Sequence, residues 1–448
     1  MNYDLIVMGC GPGGYQAALK GARNNLKTAV VDPGDIGGTC LNRGCVPTKL
    51  FLGATSALTH LESQKKLRLA RGQASIDLTR LQARKKGIVS ASRKAMRAGL
   101  EKLGVDIFTG RGRLTGPDKI QVNDDQLGFN RLIVATGSSS GHPPGLEPDN
   151  RTVLTSTAAL ELAAVPESLV IIGAGAVGLE IGQIFHRLGT RITLIEALDR
   201  IAPMEDEQVS RELAGHLQRE RWDIRTSTRV VKHSLEKSRL RIHLDNQEEI
   251  EADKCLLALG RKPNSAELGL EAAGISVSGP GWISTDQNLL ASQNIYAVGD
   301  VNGRSMYAHA ATDQAEFAVN HILGRTTAPY HESPMPGCVY GSLEIIRTGL
   351  SRKDLVSAGT AHHVSAAALA ANPIIQSHGR IQGFIKVFWS DSRVVGITGI
   401  GHGLSSLITL AQVITSQQWT RKDVHKYVFA HPTLDEALRE ALLAPLSQ

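Results

Sequence analysis

The chain is poor in cysteine, poor in aromatic side chains and without any long apolar run. Five cysteines in 448 residues do not make a disulfide framework, so two that fall close together are suspects for chemistry or metal binding. Cys40 and Cys45 are that pair. Aromatic residues make up 4%, and the basic residues behind the net charge of +6 are mixed with acidic ones, which argues against nucleic acid as a partner. The apolar stretch near the N-terminus, Leu5-Ile6-Val7-Met8, runs straight into glycines and is too short for a signal peptide or a membrane span. A soluble, unexported, cytoplasmic protein without membrane contact is expected.

A hydrophobic content of 42% is enough for a large core, and the length suggests roughly two to four domains. The densest basic stretch runs from Lys65 to Lys102 in segments of helical periodicity. It reads either as a solvated helix face or as a docking face for an acidic partner.

What the chain does have is a repeated opening. Asp4 to Val7 reads as a strand, Gly9-Cys10-Gly11-Pro12-Gly13-Gly14 as a tight turn, Tyr15 to Asn24 as a helix and Thr28 to Val31 as a strand. Leu169 to Ile172, Gly173-Ala174-Gly175-Ala176-Val177-Gly178, Leu179 to Leu188 and Arg191 to Ile195 repeat that order. An acid follows the first glycine by 23 positions in both copies, Asp32 and Glu196, where it would meet a ribose hydroxyl. Glycines alone mark turns of many kinds. A strand before, a helix after and an acid at matched distance make each copy a dinucleotide-binding βαβ unit. Glu196 would accept a hydrogen bond from a free 2′-hydroxyl and repel a 2′-phosphate, which favours NAD over NADP even with Arg191 and Arg200 nearby.

Two more strand-and-glycine segments, Leu132 to Gly137 and Ile295 to Asp300, flank the second copy, so one domain is expected to be interrupted by another. The fold class is α/β: two Rossmann-like domains, the second inserted in the first, and an α+β C-terminal domain. The boundaries expected are 1–146, 147–264, 265–332 and 333–448.

Cys40 and Cys45 lie in Gly37-Gly38-Thr39-Cys40-Leu41-Asn42-Arg43-Gly44-Cys45-Val46-Pro47-Thr48-Lys49. Residues five apart in a regular helix have Cα atoms about 8.7 Å apart, too far for a disulfide. A bridge therefore requires a bent backbone, which Gly44 permits, while Pro47 suits the first turn of a helix starting near Cys45. Lys49 would share a face with Cys45 and favour its thiolate. Two buried structural cysteines or half of a zinc site are the other readings. Zinc needs further ligands, and Cys10, Cys255 and Cys338 supply no second pair.

This segment resembles the active-site signature of the FAD-dependent pyridine nucleotide disulfide oxidoreductases. The likeness extends over almost the whole chain, through both glycine turns, Ala135-Thr136-Gly137-Ser138, Ala297-Val298-Gly299-Asp300 and His431-Pro432-Thr433-Leu434-Asp435-Glu436. It implies FAD in the first turn and NAD in the second. Asp32 would hold the adenosine ribose, Asp300 would lie near the ribityl and pyrophosphate, and Ala308 would lie at the flavin ring. Lys49 would stand by flavin N5, paired with Glu180. The remaining implied cofactor positions are Gly9, Gly11, Gly14, Gly38, Thr39, Gly112, Thr136, Gly137, Gly173, Gly175, Gly178, Glu196 and Gly260, with no metal. Cys40 would be the thiol that meets substrate and Cys45 the thiol that meets flavin.

A histidine before a proline is by itself most often a loop residue, and Thr433 to Glu436 could be a helix capping box. The resemblance instead implies His431 as a base oriented by Glu436, acting on the disulfide of the other subunit of a homodimer. Within the family, NAD use and the residues after His431 point to oxidation of dihydrolipoamide, free or on a lipoyl domain of a 2-oxoacid dehydrogenase or glycine cleavage complex. Any such association would be noncovalent, since no lipoyl domain precedes Met1. Reduction of a small disulfide such as glutathione disulfide by NAD(P)H is the alternative. Two departures from the family pattern bear on the dimer interface. Tyr340-Gly341-Ser342-Leu343-Glu344 lacks the usual proline, and Ser405-Ser406 replaces a glutamate.

Overall fold

The computed structural model describes residues 1–34, 36–236 and 239–447. It divides into two compact units, residues 1–50, 82–141 and 260–331 in the first and residues 51–81, 142–259 and 332–448 in the second.

The first unit is built on a sheet whose central strands are parallel, ordered Ile295–Ala297, Asp125–Val134, β1 (Asn2–Met8), β2 (Thr28–Asp32) and Asp106–Thr109. The strand that follows the second glycine copy thus returns to the first sheet, which is the expected interruption. Leu5 to Met8 form an unbroken apolar run because both faces of β1 are covered. Ile6 and Met8 enter one core with Val31 and Leu132, and Leu5 and Val7 enter another with Val30 and Ile133. Each such side chain, fully buried, contributes about 1.5–3 kcal/mol. Helix α1 (Pro12–Arg23) follows β1, and after β2 come α2 (Gly38–Asn42), α3 (Cys45–Lys66) and α4 (Leu78–Lys102). The basic stretch read from the sequence is therefore the end of α3, a loop and α4.

The second unit holds a five-stranded parallel sheet, ordered Asp223–Arg225, Arg191–Ile195, Ser168–Ile172, Lys254–Leu257 and Val153–Leu154. It also holds a five-stranded antiparallel sheet ordered Gly337–Val339, Glu344–Gly349, Arg393–Gly401, Gly383–Ser390 and His363–Ala368. Leu179, Ile184 and Phe185 of the helix Ala176–Arg187 share one core with Phe51, Leu343, Phe384 and Ile400. No helix among the described residues is long and apolar enough to cross a membrane.

The far end of α3 is tied to the C-terminal sheet by a basic cluster in the second unit. Arg380 donates from Nε to Ser63 Oγ at 3.3 Å and from Nη1 to His402 Nδ1 at 3.0 Å. The His378 ring lies 5.2 Å from that of His402 and 6.4 Å from that of His60. Burial and then the Arg380 charge push the His402 imidazole down to about 4. Unfolded histidine titrates near pH ~6.5, so below that pH the unfolded chain takes up a proton that the folded chain refuses, and stability drops. The loss is expected to build as pH falls from about 6.5 to about 4 and then stop. In His402→Asn, whose amide oxygen can still accept from Arg380, thermal melting followed across this range should lose part of its pH dependence. An unchanged slope would refute the assignment.

Candidate active site

The two glycine turns are the same device built twice. Gly9 has φ +95°, and a Cβ on Gly14 would sit 1.9 Å from Gly9 O. In the second copy Gly173 has φ +103°, and a Cβ on Gly178 would sit 2.1 Å from Gly173 O. Only glycine lets the helix start so close to the strand end. Both helices begin without a side-chain cap, at Gly11 and Gly175. Their first backbone N–H groups and the positive end of the helix dipole are therefore available to a phosphate.

The acids serve the turns in matching ways. Asp32 accepts Cys10 N–H at 2.8 Å through one oxygen and Gly34 N–H at 3.0 Å through the other. Glu196 accepts Ala174 N–H at 2.8 Å and Leu198 N–H at 3.0 Å. Each carboxylate is buried at its strand end, 6% and 9% exposed, and oriented before any ribose arrives.

Further residues in the first unit complete this cradle. Gly38, at φ +57°, brings its backbone so close to Gly11 that a Cβ would lie 2.6 Å from Gly11 Cα. Thr136 and Asn264 exchange hydrogen bonds at 2.8 and 2.9 Å, and Gly137, at φ +70°, accepts Asn264 N–H. Asp300 accepts from Ser138 Oγ and forms an ion pair with Arg261 at 3.4 Å. Arg261 also donates to Ser138 O and Oγ. Arg261 and Asn264 carry no local sequence signal, and the antiparallel pairing of Ser138–Ser140 with Arg261–Pro263 joins them to Ser138. Gly260 O accepts Gly141 N–H beside that pairing. Gly112 lies in the core, its Cα hydrogens facing Met8 and Val31. A helix begins at Ala308, where the Tyr307 ring stacks on His309 at 5.0 Å.

Between the cysteines the backbone bends. Cys40 and Thr39 lie on α2, Arg43 leaves the helical region at φ −142°, and α3 starts afresh at Cys45. The Cys40 and Cys45 side chains face each other, and the hydrogen bond between them together with burial pushes the Cys40 thiol up while the Lys49 charge works against the rise. Burial, then Asp32, pushes the Cys10 thiol up to about 12, and burial also raises that of Cys255. Those two thiols are chemically quiet. Among the described residues no group of three or more His, Cys, Asp and Glu side chains is placed to hold a metal.

In the second unit the helix after the second turn grips the C-terminal domain. Glu180 accepts Tyr340 N–H at 3.1 Å, and Gln183 accepts Ser342 N–H at 2.7 Å. A Cβ on Gly341 would lie 2.2 Å from the Gln183 amide, which accounts for glycine at that position. Leu343, in place of the usual proline, is buried in the core, and Glu344 accepts Ser405 N–H at 2.8 Å. The first departure is thus packed internally, whereas at the second Ser405 is held through its backbone and Ser406 is exposed.

His431 precedes a cis peptide to Pro432 and is 71% exposed in its side chain. Its Nδ1 meets both Glu436 oxygens, at 3.1 and 3.2 Å, and Thr433 N–H donates to Glu436 at 3.0 Å. These bonds hold the Glu436 carboxyl below the usual carboxylate range, the Thr433 N–H most. Glu436 therefore does both things the sequence allowed: it ties the backbone at the start of Asp435–Leu443 and it orients the imidazole. With Nδ1–H given to the carboxylate, a neutral ring carries its lone pair on Nε2.

The turns can be separated by experiment. Gly14→Val should yield protein that elutes from gel filtration without flavin absorbance, because the clash is with backbone. Gly178→Val should retain flavin and lose NADH binding in a fluorescence titration. Equal flavin retention in both variants would contradict the assignment of the first turn.

Residues 3–315 match the family model described as pyridine nucleotide-disulphide oxidoreductase, and residues 335–442 match that family's dimerisation domain. A dihydrolipoyl dehydrogenase of Thermus scotoductus is 35% identical over 98% of this chain and 96% of its own. Dihydrolipoyl dehydrogenase 3 of Pseudomonas aeruginosa is 34% identical over 99% and 97%. Among solved structures, LpdA of Mycobacterium tuberculosis superposes with a TM-score of 0.90 at 26% identity over 98% of both chains. The disulfide reductase RclA of Escherichia coli, at 23% identity and a TM-score of 0.87 over 98% and 99%, shares the fold. The chain belongs to the pyridine nucleotide-disulphide oxidoreductase family and is an oxidoreductase with that family's dimerisation domain.

Proposed function

We propose that the protein oxidises dihydrolipoamide to lipoamide with NAD as acceptor, using FAD and a Cys40–Cys45 disulfide. The observation that carries this reading is the bend at Arg43–Gly44 that sets the two thiols against each other, in a chain alignable end to end with dihydrolipoyl dehydrogenases. The working form is a homodimer in which the partner's His431 serves each cysteine pair. The four segments 1–146, 147–264, 265–332 and 333–448 act as FAD, NAD, central and interface domains, and the site of action is the cytoplasm.

His431 Nε2 takes a proton from one substrate thiol. The thiolate attacks Cys40 Sγ; the Cys40–Cys45 bond breaks, and Cys45 leaves as a thiolate beside Lys49. The second substrate sulfur attacks the first; the mixed disulfide breaks, and the proton given up by that second thiol passes to the departing Cys40 sulfur, which is released as a thiol. The substrate departs as a cyclic disulfide, two electrons poorer, and the cysteine pair holds those electrons. FAD, when bound, would supply the two-electron chemistry that couples the reduced cysteine pair to hydride transfer to NAD. Asp32, Thr136, Gly137, Asp300 and the first turn would hold FAD, and Glu196 with the second turn would hold NAD. Glu196 selects NAD because its carboxylate, already aimed by two backbone N–H groups, repels a 2′-phosphate.

Dihydrolipoamide with NAD should turn over faster than glutathione disulfide with NADPH in a paired assay of the flavin-loaded enzyme. The reverse ranking would sink the substrate assignment. His431→Gln should lower kcat about 10²–10⁴-fold, the usual worth of a general base. Glu436→Gln should lower it less, with the flavin content of both variants unchanged.

A further inference from the structure

We infer that Arg93 is a positioning residue for the redox pair, acting through Asn42; this rests on the reading of Cys40 and Cys45 as a redox disulfide. Asn42 is the last residue of α2, between the cysteines, and is 9% exposed. Its Nδ2 donates to Ile36 O at 3.2 Å and to Gly38 O at 2.8 Å. Its Oδ1 accepts two bonds from one guanidinium, Arg93 Nε at 3.1 Å and Nη2 at 2.6 Å. Arg93 is on α4, 51 positions further along the chain.

The arrangement matters because α2 has little to hold it in shape by itself. It is five residues long, and one isolated helical turn is unfavourable without tertiary support. That segment starts on Gly37 at φ +96° and Gly38 at φ +57°, a stretch with unusual conformational freedom. The Asn42 amide pins that segment at two carbonyls, and the planar fork of Arg93 fixes the plane of the amide. Cys40 lies within the pinned stretch. Arg93 thereby sets where Cys40 Sγ stands with respect to Cys45, and so the effective concentration of one thiol at the other. The groups that shift the Cys40 thiol directly are Cys45 and Lys49; the effect of Arg93 is geometric.

The test is a thiol–disulfide equilibrium on the flavin-loaded enzyme. Wild type, Arg93→Met, Arg93→Lys and Asn42→Ala are equilibrated with mixtures of reduced and oxidised dithiothreitol, quenched in acid, alkylated with N-ethylmaleimide and weighed by mass spectrometry. Arg93→Met should move the constant about tenfold toward the dithiol, equivalent to about 30 mV, with Arg93→Lys in between. Asn42→Ala should give a similar shift, and the double variant no larger one, because both act in one chain of contacts. A purely structural role would lower the melting temperature and leave the constant in place. If Arg93→Met loses its flavin, Arg93→Lys decides. A flavin-loaded Arg93 variant within twofold of wild type, or shifts that add in the double variant, would overturn the inference. A wild-type enzyme that forms no Cys40–Cys45 disulfide would instead overturn the redox reading on which it stands.

Discussion

The constraint on which the rest depends is the close approach of helix to strand at the two glycine turns. With a Cβ at Gly14 or Gly178, a carbon would lie 1.9 or 2.1 Å from a carbonyl oxygen, and the helix could not begin where it does. Because it begins there, uncapped N–H groups and the positive end of the helix dipole are open to a phosphate. The strand-end acid then falls within reach of the turn, and the same two-point anchoring of Asp32 and Glu196 appears in both copies. The start of the helix that carries Cys40 is fixed by that geometry, since Gly38 lies directly against Gly11.

Redox chemistry adds a second constraint of the opposite kind. A regular helix would hold Cys40 and Cys45 apart; the break at Arg43 and Gly44 lets them meet, at the cost of leaving a five-residue helix that needs outside support. The other cysteines are set apart by environment. Cys10 and Cys255 are fully buried with raised thiol pKa values, whereas Cys40 and Cys45 have each other and Lys49. Reactivity here is a matter of surroundings.

Much of the arrangement was legible in the order of residues. The two βαβ openings, their acids, the bend at Gly44 and the helix starting at Cys45 follow from strand periodicity, glycine spacing and the position of Pro47, all local signals. The pairing of His431 with Glu436 was legible too, though spacing could not choose between a helix cap and an oriented base; the carboxylate in fact contacts both groups. What spacing could not show were partners brought in from distant strands and helices. Arg261 reaches Ser138 and Asp300 across a strand pair, Arg93 reaches Asn42 from another helix, and Gln183 explains Gly341 only once their elements are packed.

The sequence by itself determined the two dinucleotide folds and marked the paired thiols, because glycine at a strained turn, an acid at a strand end and two close cysteines each carry their physical signal within a few residues. The tertiary structure decided which side chains support those groups. Burial and hydrogen-bond reach act through space, so Arg261, Asn264, Arg93 and the His402 cluster took on their roles only when the chain had folded around them.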